Sequence, residues 1–308
     1  MKLLFIINGK AGNGVAKRKW RKMESELSMP YKAIFTNYPC HATEIVKQQA
    51  KEDQQPLLVI AVGGDGTIHE VIQGAIEYPH IIVGAVAAGS GNDFGRGFEN
   101  FKTVTEVEQF FQQPITQAKM DIGILETADD KKYFMNSAGF GFDAMISKHV
   151  NHSKVKKNLN KIGLGKLSYI YFLIKTLFTF NRFTLSLIHN DKEQIFRHVW
   201  FVVASNQPYY GGGMKISPNS IPNDGQIELT IVNDVSRLKL LLLFTTVFFG
   251  QHTKIKAVKQ FTASDFEIIM DGDIIAHTDG EYAGASKKDK PIHFRLKSSA
   301  WRLARKSS

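Results

Sequence analysis

The chain has a single cysteine, Cys40, so it closes no internal disulfide, and a lone thiol fits a reducing compartment. It has no run of 18 apolar residues. The densest stretch, Leu240 to Phe249, is interrupted by Thr245 and Thr246, so no membrane-spanning helix is expected. The apolar start, Leu3 to Ile7, is too short for a signal peptide. A P-loop is missing as well: Gly9 and Gly14 have its glycine spacing, but Val15 and Ala16 stand where the phosphate-binding lysine and hydroxyl belong. Acidic residues are in deficit, 29 against 39 Lys and Arg, and the resulting charge of +10 favours anionic partners. Nucleotide, nucleic acid and the acidic face of a membrane all satisfy that charge.

What is present centres on Leu57 to Glu70. Leu57-Leu58-Val59-Ile60-Ala61-Val62 is short, apolar and unalternating, which reads as a strand buried on both faces. Gly63-Gly64-Asp65-Gly66-Thr67 follows, and then apolar positions at helical spacing through Ile72. Three glycines in four positions remove the Cβ atoms that keep a ligand off the backbone, and the free N–H groups of a helix start face whatever sits there. A plain tight strand-to-helix turn has the same glycine count. Asp65 and Thr67 argue for phosphate, since a carboxylate beside an anion makes sense with a divalent cation or a ribose hydroxyl between them.

Other segments repeat the pattern. Residues 3 to 8 read as a strand running into a glycine loop, Ala33 to Thr36 as a second strand, and Ile81 to Val86 as a strand leading into Gly89-Ser90-Gly91-Asn92-Asp93-Phe94-Gly95-Arg96. Strands alternating with helices predict a Rossmann-like parallel α/β domain whose ligand lies beyond the strands' carboxyl ends. From about Tyr133 the texture changes to alternating strands with Gly and Asn turns, predicting a second, β-rich domain. The 308 residues divide at about 125 into two domains. Asp271-Gly272, between Phe266 to Met270 and Asp273 to His277, carries a strong short-hairpin signal. Asp143, followed by a helical pattern, reads as an N-cap. Asp279 and Glu281 are two apart, so on a strand they point to one face. Lys154 to Arg182, with six lysines and Tyr169, Tyr171, Phe172, Phe178 and Phe180, suits either an amphipathic helix on anionic lipid or a helix with its apolar stripe in the core. Leu238 to Phe249 reads as a buried helix.

Gly63 to Thr67 resembles the nucleotide-binding signature of the diacylglycerol kinase catalytic-domain family, which includes bacterial lipid kinases and sphingosine kinases and is related in fold to NAD kinases and phosphofructokinases. Five further segments agree in order: Asn8 to Gly12 (with Gly9 where the family usually has proline), Gly89 to Arg96, Asn136 to Asp143, Asp224-Gly225, and Asp279 to Glu281. The resemblance implies an N-terminal α/β nucleotide domain, residues 1–125, and a C-terminal β-sandwich-rich lipid-substrate domain, residues 126–308. The tail, Arg295 to Lys306, is basic with an apolar thread through Leu296, Trp301 and Leu303, which would let it pack back on the first domain.

For activity, it implies an ATP-dependent kinase acting on a lipid hydroxyl such as that of diacylglycerol. ATP would lie against Asn8, Thr36, Gly63, Gly64, Asp65, Gly66, Thr67, Glu70, Ser90, Asn92 and Asp93. Catalytic Mg²⁺ would be approached by Asp65, and a structural Mg²⁺ would be held by Asp224 with the main-chain carbonyls of Ile221 and Gln226. A kinase needs a carboxylate to orient the acceptor hydroxyl and take its proton; Glu281 ranks first for this and Asp279 next. The implied partners are ATP and a lipid substrate at the inner face of the membrane, met by a peripheral cytoplasmic enzyme, with no nucleic acid; a homodimer is left open. Two other readings stand beside it: a kinase of a soluble hydroxyl such as NAD, and a non-catalytic binder of anions or nucleic acid.

Overall fold

The computed structural model describes residues 1–89, 91–113, 117–152, 165–190 and 192–305, without the side chains of 151, 152 and 165–170. Four parallel strands form the first sheet: β1 (Lys2–Ile7), β2 (Lys32–Phe35), β3 (Leu57–Gly63) and β4 (Ile81–Ala87), in the order β4-β3-β1-β2. Helices α1 (Ala11–Glu26), α2 (His41–Glu52) and α3 (Asp65–Ala75) connect them. All seven residues of β3 are buried, because alternate side chains enter two different cores. Val59 and Ala61 pack with Ile68, Val71 and Ile72 of α3, whereas Leu58, Ile60 and Val62 pack with Trp20 and Met23 of α1. A strand covered on both faces has no polar face to display, hence its unbroken apolar sequence.

After the short α4 (Phe94–Gly97) and α5 (Val104–Gln112) the chain becomes largely antiparallel. It runs through β5 (Gln117–Glu126), β6 (Lys131–Phe134), β7 (Ser137–Gly141), α6 (Phe142–His152), a helix at Gly165–Thr179, β8 (Phe183–His189) and β9 (Lys192–Ser205). The short pair β10 (Tyr209–Tyr210) and β11 (Met214–Lys215) precedes β12 (Ile227–Asn233) and a helix at Arg237–Val247. The rest is strand: β13 (Val258–Ala263), β14 (Asp265–Met270), β15 (Ile275–Thr278), β16 (Glu281–Ala285) and β17 (Pro291–Ala304). This part has its own core, including Phe134, Phe140, Phe142, Trp200, Phe266 and Phe294.

The two parts share strands. β17 pairs with β14 through Pro291 to Arg295 and with β5 along most of its length, and at Leu303 it reaches Val83 of β4 in parallel. Ala300, Trp301 and Leu303 thereby enter the core of the first sheet.

Three expectations are corrected. Asp271-Gly272 makes no hairpin: β14 pairs with β8 and β17, while β15 pairs with β7 and β16. The tight turn is the other Asp-Gly, between Thr278 and Glu281, where Asp279 (φ 49°) and Gly280 (φ 83°) both take positive φ, as a two-residue type I′ loop requires. Asp279 and Glu281 consequently share no strand face. The third concerns Leu238 to Phe249: Leu240, Leu243 and Val247 are buried, but the opposite face of the helix is exposed. Ser90 and the lysines at 154, 156, 157 and 161 lie outside the described residues.

Candidate active site

The carboxyl ends of β1, β3 and β4 open into a cleft of about 720 Å³, walled on the far side by the start of α6, the Tyr210-Gly211-Gly212 loop and the Asp279-Gly280 turn. On the near wall, β3 ends at Gly63, Gly64 is extended, and α3 begins at Asp65. The first bonds to the Gly64 carbonyl come from the Thr67 and Ile68 N–H groups, so those of Asp65 and Gly66 precede the helical ladder. A Cβ on Gly66 would meet nothing within 4 Å. Backbone donors, open space and the positive end of the helix dipole together suit an anion such as phosphate. The loop after β4 lies directly against this one, and a Cβ on Gly89 would come within 2.6 Å of the Gly64 Cα.

Side chains lock these loops together. The Asn8 amide donates to Thr67 Oγ1 at 3.0 Å, and Asn92 Oδ1 accepts from the Gly89 N–H at 3.0 Å. Asp65 Oδ1 accepts from the Phe94 N–H at 2.9 Å. Asp93 Oδ2 accepts from the Gly212 N–H at 2.8 Å, across the cleft, and Arg96 pairs with its Oδ1 at 3.1 Å. Asp65 Oδ2 and Asp93 Oδ2 converge beside Gly91, 2.9 and 3.8 Å from where its Cβ would stand. Burial lifts the Asp93 pKa above the ordinary carboxylate value and the Asp65 charge adds to it, against the pull of the Gly212 N–H and Arg96. Two hard oxygens converging at electrostatic cost, next to a phosphate site, fit a divalent cation such as Mg²⁺.

On the far wall the two carboxylates of the turn have opposite fates. Asp279 is buried, its Oδ1 accepting from the N–H groups of Asn136 (2.7 Å) and Ser137 (3.0 Å) and its Oδ2 from that of Met135 (2.8 Å) and from His69 Nδ1 (2.8 Å). Burial opposes its charge, but His69 and the backbone donors outweigh burial and hold its pKa below the ordinary value. Burial likewise opposes a charge on His69, yet Asp279, with Glu70 and Glu281 further off, leaves the imidazole pKa raised. An ion pair therefore links α3 of the near wall to the turn of the far wall. Glu281, the first residue of β16, is exposed at the cleft, and its carboxylate has no hydrogen-bond partner among the described residues.

Thr36, Gly64, Asp65, Gly66, Thr67, Glu70, Asp93, Asp279, Glu281 and Asn8 all line the cleft, with Gly63 and Asn92 immediately adjoining lining residues. The Glu70 carboxylate accepts from the N–H groups of Cys40 (2.9 Å) and Ala42 (3.1 Å), so it also caps α2. Asp224, Ile221 and Gln226 lie on another loop, outside the cleft lining. There Asp224 Oδ1 accepts from the Gln226 N–H (3.0 Å) and the Ile221 carbonyl from the Asn223 N–H (2.9 Å). The buried Asp121 braces that loop by accepting from the N–H groups of Gly225 (2.9 Å) and Ser299 (2.7 Å). An all-oxygen donor set suits Mg²⁺, although no cluster of three or more His, Cys, Asp or Glu side chains forms among the described residues.

Sequence reasoning gave no role to His69 or His277. His69 stands one helical turn after Asp65, a spacing that puts it over the same end of the cleft. Asp143 is no N-cap, because α6 already starts at Phe142; its Oδ2 pairs with His277 Nε2 at 2.8 Å and its Oδ1 is buried without a partner, beside the cleft.

The fold is that of the diacylglycerol kinase and NAD kinase class. A Bacillus anthracis protein solved as a diacylglycerol kinase matches with a TM-score of 0.69 at 16% identity, over 98% of this chain and 96% of that one. Yeast NADH kinase complexed with NADH matches with a TM-score of 0.53 at 12% identity, over 98% and 82%. At these identities the likeness is one of fold. In sequence, residues 2–124 match the diacylglycerol kinase catalytic domain and residues 136–302 the YegS C-terminal NAD kinase beta sandwich-like domain. The chain is 34% identical over 304 residues to the Bacillus subtilis protein named "Putative lipid kinase YtlR", covering 96% of each. It is 27% identical over 230 residues to a Mycobacterium tuberculosis protein named "Diacylglycerol kinase", covering 73% of this chain and 70% of that one. The chain belongs to the diacylglycerol kinase catalytic-domain family.

Proposed function

We propose that this protein is an ATP-dependent lipid kinase that transfers the γ-phosphate of ATP to a lipid hydroxyl, such as that of diacylglycerol. The observation that carries the reading is the opposition, across one cleft, of the α3 anion site and the unbonded carboxylate of Glu281. The segment 1–125 binds the nucleotide and 126–308 the lipid, with the reaction in the cleft they share. The Asp65 and Gly66 N–H groups hold phosphate oxygens, while Asn8, Thr36, Thr67, Glu70, Ser90 and Asn92 shape the nucleotide side. Asp65 and Asp93 would hold Mg²⁺, which when bound would neutralise the charge of the phosphates. Glu281 orients the acceptor hydroxyl and takes its proton as the new P–O bond forms, so the ADP oxygen leaves with the electrons of the bond that breaks. Asp279 sets the position of that carboxylate through the turn. Asp224, with the Ile221 and Gln226 carbonyls, would hold a structural Mg²⁺ on the loop beside Asp121. Most of the acceleration then comes from placement and charge neutralisation. The enzyme works in the cytoplasm, at the inner face of the membrane.

The test is transfer of labelled γ-phosphate from ATP with Mg²⁺ to a lipid extract in detergent micelles, comparing wild type with Asp65→Ala and Glu281→Ala. A labelled lipid made by wild type and by neither variant is the expected result, and its mobility names the substrate. Label appearing only in a soluble hydroxyl compound would replace the lipid assignment with a soluble-substrate kinase.

A further inference from the structure

The helix Arg237–Val247 is apolar on both sides. Leu240, Leu243 and Val247 enter the core, while Leu238 (69% exposed), Leu242 (68%) and Phe249 (76%) stand in solvent together with Leu241 and Phe248. The outward positions 238, 241, 242, 245, 248 and 249 follow one another at helical spacing, forming a stripe that ends in two exposed phenylalanines. A water-facing helix ordinarily carries polar residues there, so this face is built for apolar company.

A second apolar row stands beside it. On the helix Gly165–Thr179, Tyr171, Ile174 and Phe178 are exposed at helical spacing, and Arg237 Nε donates to the Leu177 carbonyl at 3.0 Å, tying the end of that helix to the start of this one. Both helices lie on α6, with Phe142 against Phe244 and His149 against Phe172, and α6 also lends Asp143 and Ser147 to the cleft. The apolar rows therefore cover the outer side of the wall that faces the α3 anion site.

Charge decides what covers them. From Val235 to Ser264 there are Arg237, Lys239, Lys254, Lys256 and Lys259 and no Asp or Glu; the flanking Asp234 faces His198. Residues 165 to 190 add Lys166, Lys175 and Arg182, again with no carboxylate. Lys239, Lys256 and Lys259, against the single carboxylate of Asp234, rim a hollow of about 640 Å³ floored by Leu242, Leu243 and Ile255. Cations around an apolar floor would repel a second copy of this same face; they complement a surface that is anionic outside and hydrocarbon within.

We infer that this face docks on an anionic phospholipid bilayer, with Leu238, Leu242 and Phe249 among the acyl chains and Lys239, Lys256 and Lys259 at the headgroup phosphates. The inference deepens the lipid-kinase reading by giving the protein a membrane-facing side next to its cleft, but its test involves no phosphoryl transfer. Wild type is sedimented with vesicles of phosphatidylglycerol and phosphatidylcholine, and with phosphatidylcholine alone, in the absence of ATP and diacylglycerol. Binding to the acidic vesicles, weakened by salt and much lower on neutral ones, is expected. Each of the three apolar side chains replaced by serine should cost about ten-fold in partitioning, and each of the three lysines replaced by glutamine about five-fold.

No vesicle binding by wild type would overturn the assignment, as would equal binding to neutral vesicles, or unchanged binding both by the variant with all three apolar side chains replaced by serine and by the one with all three lysines replaced by glutamine. A dimer in sedimentation velocity that the serine variant abolishes, with no protein on vesicles, would assign the face to a second copy and likewise overturn it. Labelling of lipid in detergent micelles by the same variants is expected to match wild type, so failure of the docking face and failure of the kinase reading are seen separately.

Discussion

The two walls of the cleft treat their carboxylates differently. On the near wall Asp65 accepts the Phe94 N–H with Oδ1 and turns Oδ2 to the point beside Gly91, while Asp93 pairs Oδ1 with Arg96 and uses Oδ2 both for the Gly212 N–H and for that same point. On the far wall the work is divided between residues: Asp279 spends both oxygens on three N–H groups and an imidazole, and Glu281, two residues on, spends none. A carboxylate whose lone pairs are all taken holds a shape, and one whose lone pairs are free is available to a substrate. The near wall combines both duties in each aspartate; the far wall separates them.

That separation can be broken at either residue. Glu281→Gln should lower turnover by about 10²–10⁴ and leave thermal stability near wild type, measured by labelled phosphate transfer and by calorimetry in parallel. Asp279→Ala should do the reverse first, costing about 3–5 kcal/mol of stability, because a buried imidazole and three buried N–H groups lose their acceptor; denaturant unfolding measures it. An Asp279→Ala protein as stable as wild type would show that the turn is held by something else.

Smaller effects sharpen the comparison. The His69–Asp279 pair ties one wall to the other, and its contribution depends on pH. His69 has a raised pKa, so its share is full below about 6.5, the ordinary imidazole value, and is lost as pH rises through the raised value. Asp279 has a depressed pKa, so its share is present above about 3.9 and is lost as pH falls through the depressed value. The stability gap between wild type and His69→Gln should be widest at about pH 4.5–6.5 and narrow above that; melting curves across pH would show a flat gap if the pair carries no charge. Smallest is Glu70→Ala, which removes acceptors from the start of α2 and should cost about 1 kcal/mol, read from denaturant midpoints, with a larger loss showing that Glu70 holds more of the fold than this cap.

The contrast between the walls also explains what was legible beforehand. The near wall is written locally: an unbroken apolar strand, a glycine turn and a helix start are adjacent in sequence, and β3, Gly64 and α3 fall where the pattern puts them. The far wall is written at long range. Asp279 meets Met135, Asn136 and Ser137 more than 140 residues away, and nothing near Asp279 announces those donors. The choice between Asp271-Gly272 and Asp279-Gly280 as the tight turn was likewise settled by which strands pair, since the dipeptides are alike and only the second joins strands that are neighbours in the sheet. Glu70 could be grouped with the site from its position, but its bonds to Cys40 and Ala42 belong to helix packing that no local pattern displays.

The return of β17 to the first sheet bears on how the chain is made. Ala300, Trp301 and Leu303 sit in a core whose other members are synthesised within the first 135 residues. At about 5–20 residues per second a ribosome needs roughly ten seconds or more to travel from one to the other. During that interval the parallel sheet has an open flank along β4 and a hollow where the indole will lie. The nascent protein must keep that flank from pairing with a neighbour, and a chain cut short before residue 300 would leave it open permanently.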